Sequence, residues 1–90
     1  MMQAPTDERL HRLFLDYCQE DCAQLARAAD RQDRPAAIHH SHRLYGSALM
    51  MTALRLADPA GRLEQDLRDG LPWRLVPERL RQLEEVILTL

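Results

Sequence analysis

LHRLFLDYCQEDCAQLARAA, residues 10–29, places Leu10, Leu13, Phe14, Tyr17, Cys18, Cys22, Leu25 and Ala29 at three- and four-residue intervals. That recurrence is the apolar stripe of an amphipathic helix of about six turns. Upstream, Thr6 or Asp7 suits an N-cap, with Asp7 and Glu8 near the positive end of the helix. Residues 1–6 then read as a flexible tail, with room for a short extra N-terminal turn. Downstream, the polar segment Asp30 to Arg34 ends the stripe.

The rest of the chain repeats this pattern. Pro35 fits the first turn of a second helix, capped by Asp33 or Arg34. Its stripe is Ile38, Ser41, Leu44, Tyr45, Ala48 and Met51 or Thr52. A third helix is expected over Thr52 to Arg68, with Leu54, Leu56, Ala57, Ala60, Leu63 and Leu67 facing inward. Pro59 either kinks this helix or restarts it, since an interior proline removes a backbone hydrogen bond. Asp69-Gly70 and Leu71-Pro72 read as a turn. A last helix is expected from about Pro77-Glu78, with Trp73 to Val76 as an additional turn and Leu80, Leu83, Val86 or Ile87, and Leu90 as its stripe. No alternating β-branched segment signals a strand. Four amphipathic helices with short connections predict an all-α antiparallel up-down four-helix bundle. The 90 residues make a single domain, 1–90, with one modest core.

Composition narrows the function. The net charge is −2, and all 12 basic residues are scattered arginines, so a nucleic-acid footprint is not expected. Aromatic residues are scarce, and no glycine-rich phosphate loop or kinase ATP-binding motif is visible. The longest apolar run, Ala48 to Met51, is far too short to enter a membrane as a span. No secretory signal is recognisable, and Cys18 and Cys22, four apart on one helix, read as reduced core thiols. A cytoplasmic protein is expected.

Three histidines, His39, His40 and His42, crowd the second helix; His11 lies on the first. At about 100° per residue, His39 points away from the core, with Arg43 and Gly46 also outward. His42 falls on the shoulder, roughly 110° from the core direction. Gly46 lies one turn beyond it. A helix-interior glycine costs up to ~1 kcal/mol relative to alanine, and here it leaves open space beside His42.

Ser41-His42-Arg43-Leu44-Tyr45-Gly46-Ser47-Ala48 resembles the phosphoacceptor motif of histidine-containing phosphotransfer (HPt) domains, which reads roughly His-x-Leu-Lys-Gly-Ser/Ala. Leu63-Glu64 resembles the Leu-Glu pair of that family's next helix, and Asp30 to Asp33 its Asp-containing turn. The resemblance spans about residues 10–70, with the last helix fitting by pattern. It implies a bacterial two-component setting in which His42 accepts a phosphoryl group from a receiver-domain aspartate and passes it to a response regulator. The receiver belongs to a regulator or a hybrid sensor histidine kinase and supplies the Mg²⁺. The chain itself then holds no cofactor or metal and acts as a phosphohistidine carrier, with His39, Arg43, Tyr45 and Gly46 as its docking surface. A monomer is expected. Tyr45 stands where the family usually has lysine, and Pro59 and Gly61 depart from its smooth third helix.

Two other readings compete. One is a receiver-binding module that no longer carries phosphate, suggested by Tyr45. The other is a small metal-binding bundle built on Cys18, Cys22, His39 and His42, whose spacings each put two ligands on one helical face. An independent catalyst is disfavoured, because the sequence names no second titratable partner for His42.

Overall fold

The computed structural model describes residues 3–90, with side chains from Asp7 onward. Four helices follow in order: α1 (Gln3–Asp30), α2 (Arg34–Met50), α3 (Leu54–Arg68) and α4 (Val76–Leu88). A 3₁₀ turn, Trp73–Leu75, leads into α4 where the additional turn was expected. α1 packs on α2 and α4, and α3 packs on the same two helices, which closes the up-down ring. There is no strand among the described residues.

Local chemistry sets the corners. Asp33 caps α2, its carboxylate accepting the Ala36 N–H at 3.2 Å, with Pro35 in the first turn. α1, α2 and α3 each end in the same way. The amides of Asp33, Ala53 and Leu71 reach back to the carbonyls of Ala28, Ala48 and Asp66. The residue before each of them, Gln32, Thr52 and Gly70, has a positive φ. This pairing is the Schellman motif, which satisfies the last carbonyls of a helix and reverses the chain. Arg34 ties the start of α2 to the end of α3 by donating to the carbonyls of Leu67 (2.9 Å) and Leu71 (3.1 Å). Its guanidinium also stacks over Trp73.

The core is Phe14, Cys18, Cys22, Leu25 and Ala28 of α1, Ala37, Leu44 and Ala48 of α2, Leu56 to Leu67 of α3 at helical spacing, and Val76, Leu80, Leu83 and Ile87 of α4. Several expectations shift. α1 already begins at Gln3, so the predicted cap at Asp7 lies within the helix and the expected tail shrinks; Met1 and Met2 lie outside the described residues. Leu10, Leu13 and Tyr17 are about half exposed. These three lie on the flank of α1 that borders a groove with Ser47, Met50 and Met51 at the end of α2, while Phe14 in the same segment turns into the core. Met51, Thr52 and Leu54 likewise sit at the exposed α2–α3 corner. Pro59 neither ends nor restarts α3, which runs unbroken through it.

Candidate phosphoacceptor site

His42 projects from the middle of α2, and its imidazole is 63% exposed. Its Nδ1 lies 3.1 Å from both carboxylate oxygens of Glu64 on α3. Glu64 is largely covered, and Arg68, one turn further along α3, donates to its Oε2 through Nη2 (2.8 Å) and Nε (3.2 Å). Burial pushes the Glu64 carboxyl up, but the hydrogen bonds and charges of Arg68 and His42 outweigh burial and hold it below the usual carboxylate range. At neutral pH Glu64 is therefore an ionised acceptor. Facing this acceptor Nδ1 is the donor, and in the neutral ring the lone pair then lies on Nε2. The sequence named no titratable partner for His42; Glu64 is that partner. Two clues were present, the position of Glu64 beside the core residue Leu63 and its i,i+4 spacing to Arg68, but neither reveals a contact between two helices.

The predicted surroundings separate into two groups. Gly46 behaves as expected, since a Cβ built there meets nothing within 4 Å. His39 is exposed and touches His40 edge-on, with ring centroids 5.0 Å apart. Arg43 is exposed too, but its Nε lies 3.5 Å from the carboxylate of Asp21 on α1. Asp21 is itself buried and also meets His40 Nδ1 at 3.3 Å. This carboxylate sits within the apolar stripe of α1, between Cys18 and Cys22, and its partners on α2, the Arg43 guanidinium and the His40 ring, account for its burial.

Tyr45, expected on the docking surface, is tied to α3. It is half-buried, and its ring lies over Gly61 of α3, where a Cβ would come within 2.9 Å of Cδ1 and Cε1. Two of the three departures from the family pattern, Tyr45 and Gly61, thus form one contact. The ring fills the gap that the glycine leaves.

Cys18 and Cys22 point into the core while His39 faces solvent, so the two pairs proposed as metal ligands do not converge. Among the described residues no group of three or more His, Cys, Asp or Glu side chains is placed to hold a metal ion.

His42 is thus an exposed histidine in mid-helix on a four-helix bundle, with an open glycine one turn on. Residues 9–90 match the family model of the Hpt domain. The chain belongs to the Hpt domain family. No curated protein and no solved structure matches it. As an Hpt domain the chain is a phosphotransfer carrier in a phosphorelay, and receiver domains are its class of partner. No helix among the described residues is long and apolar enough to cross a membrane.

Proposed function

We propose that His42 is the phosphoacceptor of this Hpt domain, taking a phosphoryl group from a receiver aspartate and returning it to a second receiver. The observation that carries this reading is the hydrogen bond from His42 Nδ1 to Glu64, which orients the ring with its unprotonated Nε2 outward.

The Nε2 lone pair attacks the phosphorus of the aspartyl phosphate. An N–P bond forms as the acyl O–P bond breaks, and the aspartate leaves as a carboxylate. No proton has to leave Nε2, because it carries none. The ring becomes cationic on phosphorylation, with Nδ1–H still held by Glu64, so the carboxylate stabilises charge that develops during transfer. The same cation is a good leaving group in the return step. The receiver supplies Mg²⁺ and the acidic pocket, and positioning accounts for most of the rest.

His39, Arg43 and Gly46 border His42 on the open face of α2. Leu49 falls on nearly the same helical bearing as His42, and Met50, with Leu13 and Tyr17 across the α1–α2 groove, continues an exposed apolar strip. This strip suits a receiver face that is apolar at its centre. Tyr45 packs on Gly61 of α3 beside this face.

The test is transfer from a Mg²⁺-bound phosphorylated receiver to the wild-type chain and to His42→Gln. Acid-labile, alkali-stable phosphate on the wild type and none on the variant is the expected result. Binding without label on the wild type across several receivers would leave a docking module and remove His42 from the chemistry.

A further inference from the structure

His42 and Glu64 meet on one rung of the α2–α3 interface, and Tyr45 and Gly61 meet on the next. Tyr45 follows His42 by three residues and Gly61 precedes Glu64 by three, as antiparallel helices require. At about 100° per residue, Tyr45 turns from the shoulder held by His42 about 60° further toward the core. Its ring sits in a notch. A Cβ on Gly61 would come within 2.9 Å of Cδ1 and Cε1, and the ring lines one cleft with Ala57 and Glu64, which lie a turn to either side of that glycine. Neighbours at such spacing form a hole on α3, and the Tyr45 ring is the knob that fills it.

The contact between Nδ1 and Glu64 depends on register. Both carboxylate oxygens lie 3.1 Å from Nδ1, and a slip of one residue moves α3 by about 1.5 Å, which stretches and misaligns bonds already near the long end of good geometry. Ser41 and Ala48 of α2 and Ala57 and Ala60 of α3 are buried, with side chains too small to key one helix to the other. A rigid ring seated between Ala57 and Glu64 resists that slip, because sliding either way drives it out of the glycine notch and into a side chain.

We infer that Tyr45 and Gly61 form a positioning pair for phosphoryl transfer: the ring, seated in the glycine notch, sets the register of α3 against α2 at which Glu64 meets His42 Nδ1. Where the family usually has lysine, this chain, which contains no lysine at all, places packing instead of charge. For transfer the role rests on His42 being the phosphoacceptor; for the His42–Glu64 hydrogen bond it does not.

The experiment reads the tautomer of the His42 ring by ¹H–¹⁵N correlation spectra at about pH 8.5, where an ordinary imidazole is neutral, together with transfer from one Mg²⁺-bound phosphorylated receiver. The wild type is expected to carry its proton on Nδ1. Gly61→Ala pushes the ring out of the notch and is expected to raise the share of the Nε2–H tautomer and to slow transfer about fivefold, short of the ~100-fold that a 1 Å misplacement can cost. Adding Tyr45→Leu makes room for the new methyl group and is expected to return both readings toward wild type. Tyr45→Ala empties the notch and is expected to repeat the Gly61→Ala result, which keeps the test in force if Gly61→Ala does not fold. Tyr45→Phe keeps the ring and is expected to change neither reading. An unchanged tautomer in Gly61→Ala or Tyr45→Ala, a loss that Tyr45→Leu does not recover, or a shift in Tyr45→Phe overturns the inference and leaves the pair as packing alone. The spectra need no phosphate, so they decide the role of the pair even if the wild type accepts no phosphoryl group.

Discussion

Two helical glycines, Gly46 and Gly61, answer to different neighbours. At Gly46 a methyl group would enter open space; at Gly61 it would meet the Tyr45 ring at 2.9 Å. Gly46→Ala should therefore gain the helix propensity difference, about 0.5–1 kcal/mol, while a long side chain there should screen His42 from its partner. Gly61→Ala gains the same propensity but must displace a packed ring, and overpacking typically costs ~1–3 kcal/mol. Its net effect should be a loss of about 1 kcal/mol, relieved when Tyr45 is also shortened to leucine. Urea denaturation of the two single variants and the double variant checks both signs. The sequence located His42 and Gly46 because each is a property of one helix face. It did not locate Glu64, Arg68 or the Tyr45–Gly61 contact as parts of the site, because these depend on the register between α2 and α3. Asp21 was hidden for a similar reason: only its partners on α2 make sense of a carboxylate in an apolar stripe.

The helices themselves were legible from their stripes, and in α2 cap and stripe agree: Asp33 and Pro35 mark its start without help from the rest of the chain. The stripe of α1 was drawn too wide, since Leu10, Leu13 and Tyr17 border the open α1–α2 groove instead of entering the core. The corners were half legible. Gly70 announces a left-handed residue, whereas Gln32 and Thr52 reach the same conformation with φ of 53° and 50°. Threonine is the least suited of the three, because its branched Cβ crowds the backbone in the left-handed region, at a cost of roughly 1–2 kcal/mol. Thr52→Gly removes that crowding but frees the unfolded chain, which takes back about 0.5–1 kcal/mol. It also forfeits the Thr52 hydroxyl's hydrogen bond to the Met51 carbonyl, an exposed contact of small worth. A net gain of about 0.5 kcal/mol is expected, read as a higher thermal midpoint. No gain, or a loss, would mean that the corner is held by something other than its backbone conformation.

At the scale of the whole molecule, the two thiols link core integrity to pH. Cys18 and Cys22 are buried, and burial, with smaller contributions from neighbouring acidic groups, pushes both thiols up to about 12 from an ordinary value of 9.0. Between these values the unfolded chain has released two protons that the folded chain still holds, so the folded state binds more protons and stability must fall as pH rises. The contribution is intact below about pH 9 and is lost progressively above it, at up to ~1.4 kcal/mol per pH unit for each thiol. Going from pH 8 to pH 10 should remove about 2–3 kcal/mol, a large share of the ~5–15 kcal/mol that holds a typical domain. The absence of lysine makes the effect unusually clean, since arginine does not titrate in this range. Cys18→Ala/Cys22→Ala should start from a lower stability, because two cavities open in the core, yet its urea midpoint should fall much less steeply across the same pH interval. The same burial makes the thiols reporters of global opening: at pH 8 a thiol reagent should label the wild type only as fast as the bundle unfolds. Labelling much faster than unfolding would show that α1 separates from the core on its own, and the alkaline loss of stability would then belong to that helix and not to the bundle.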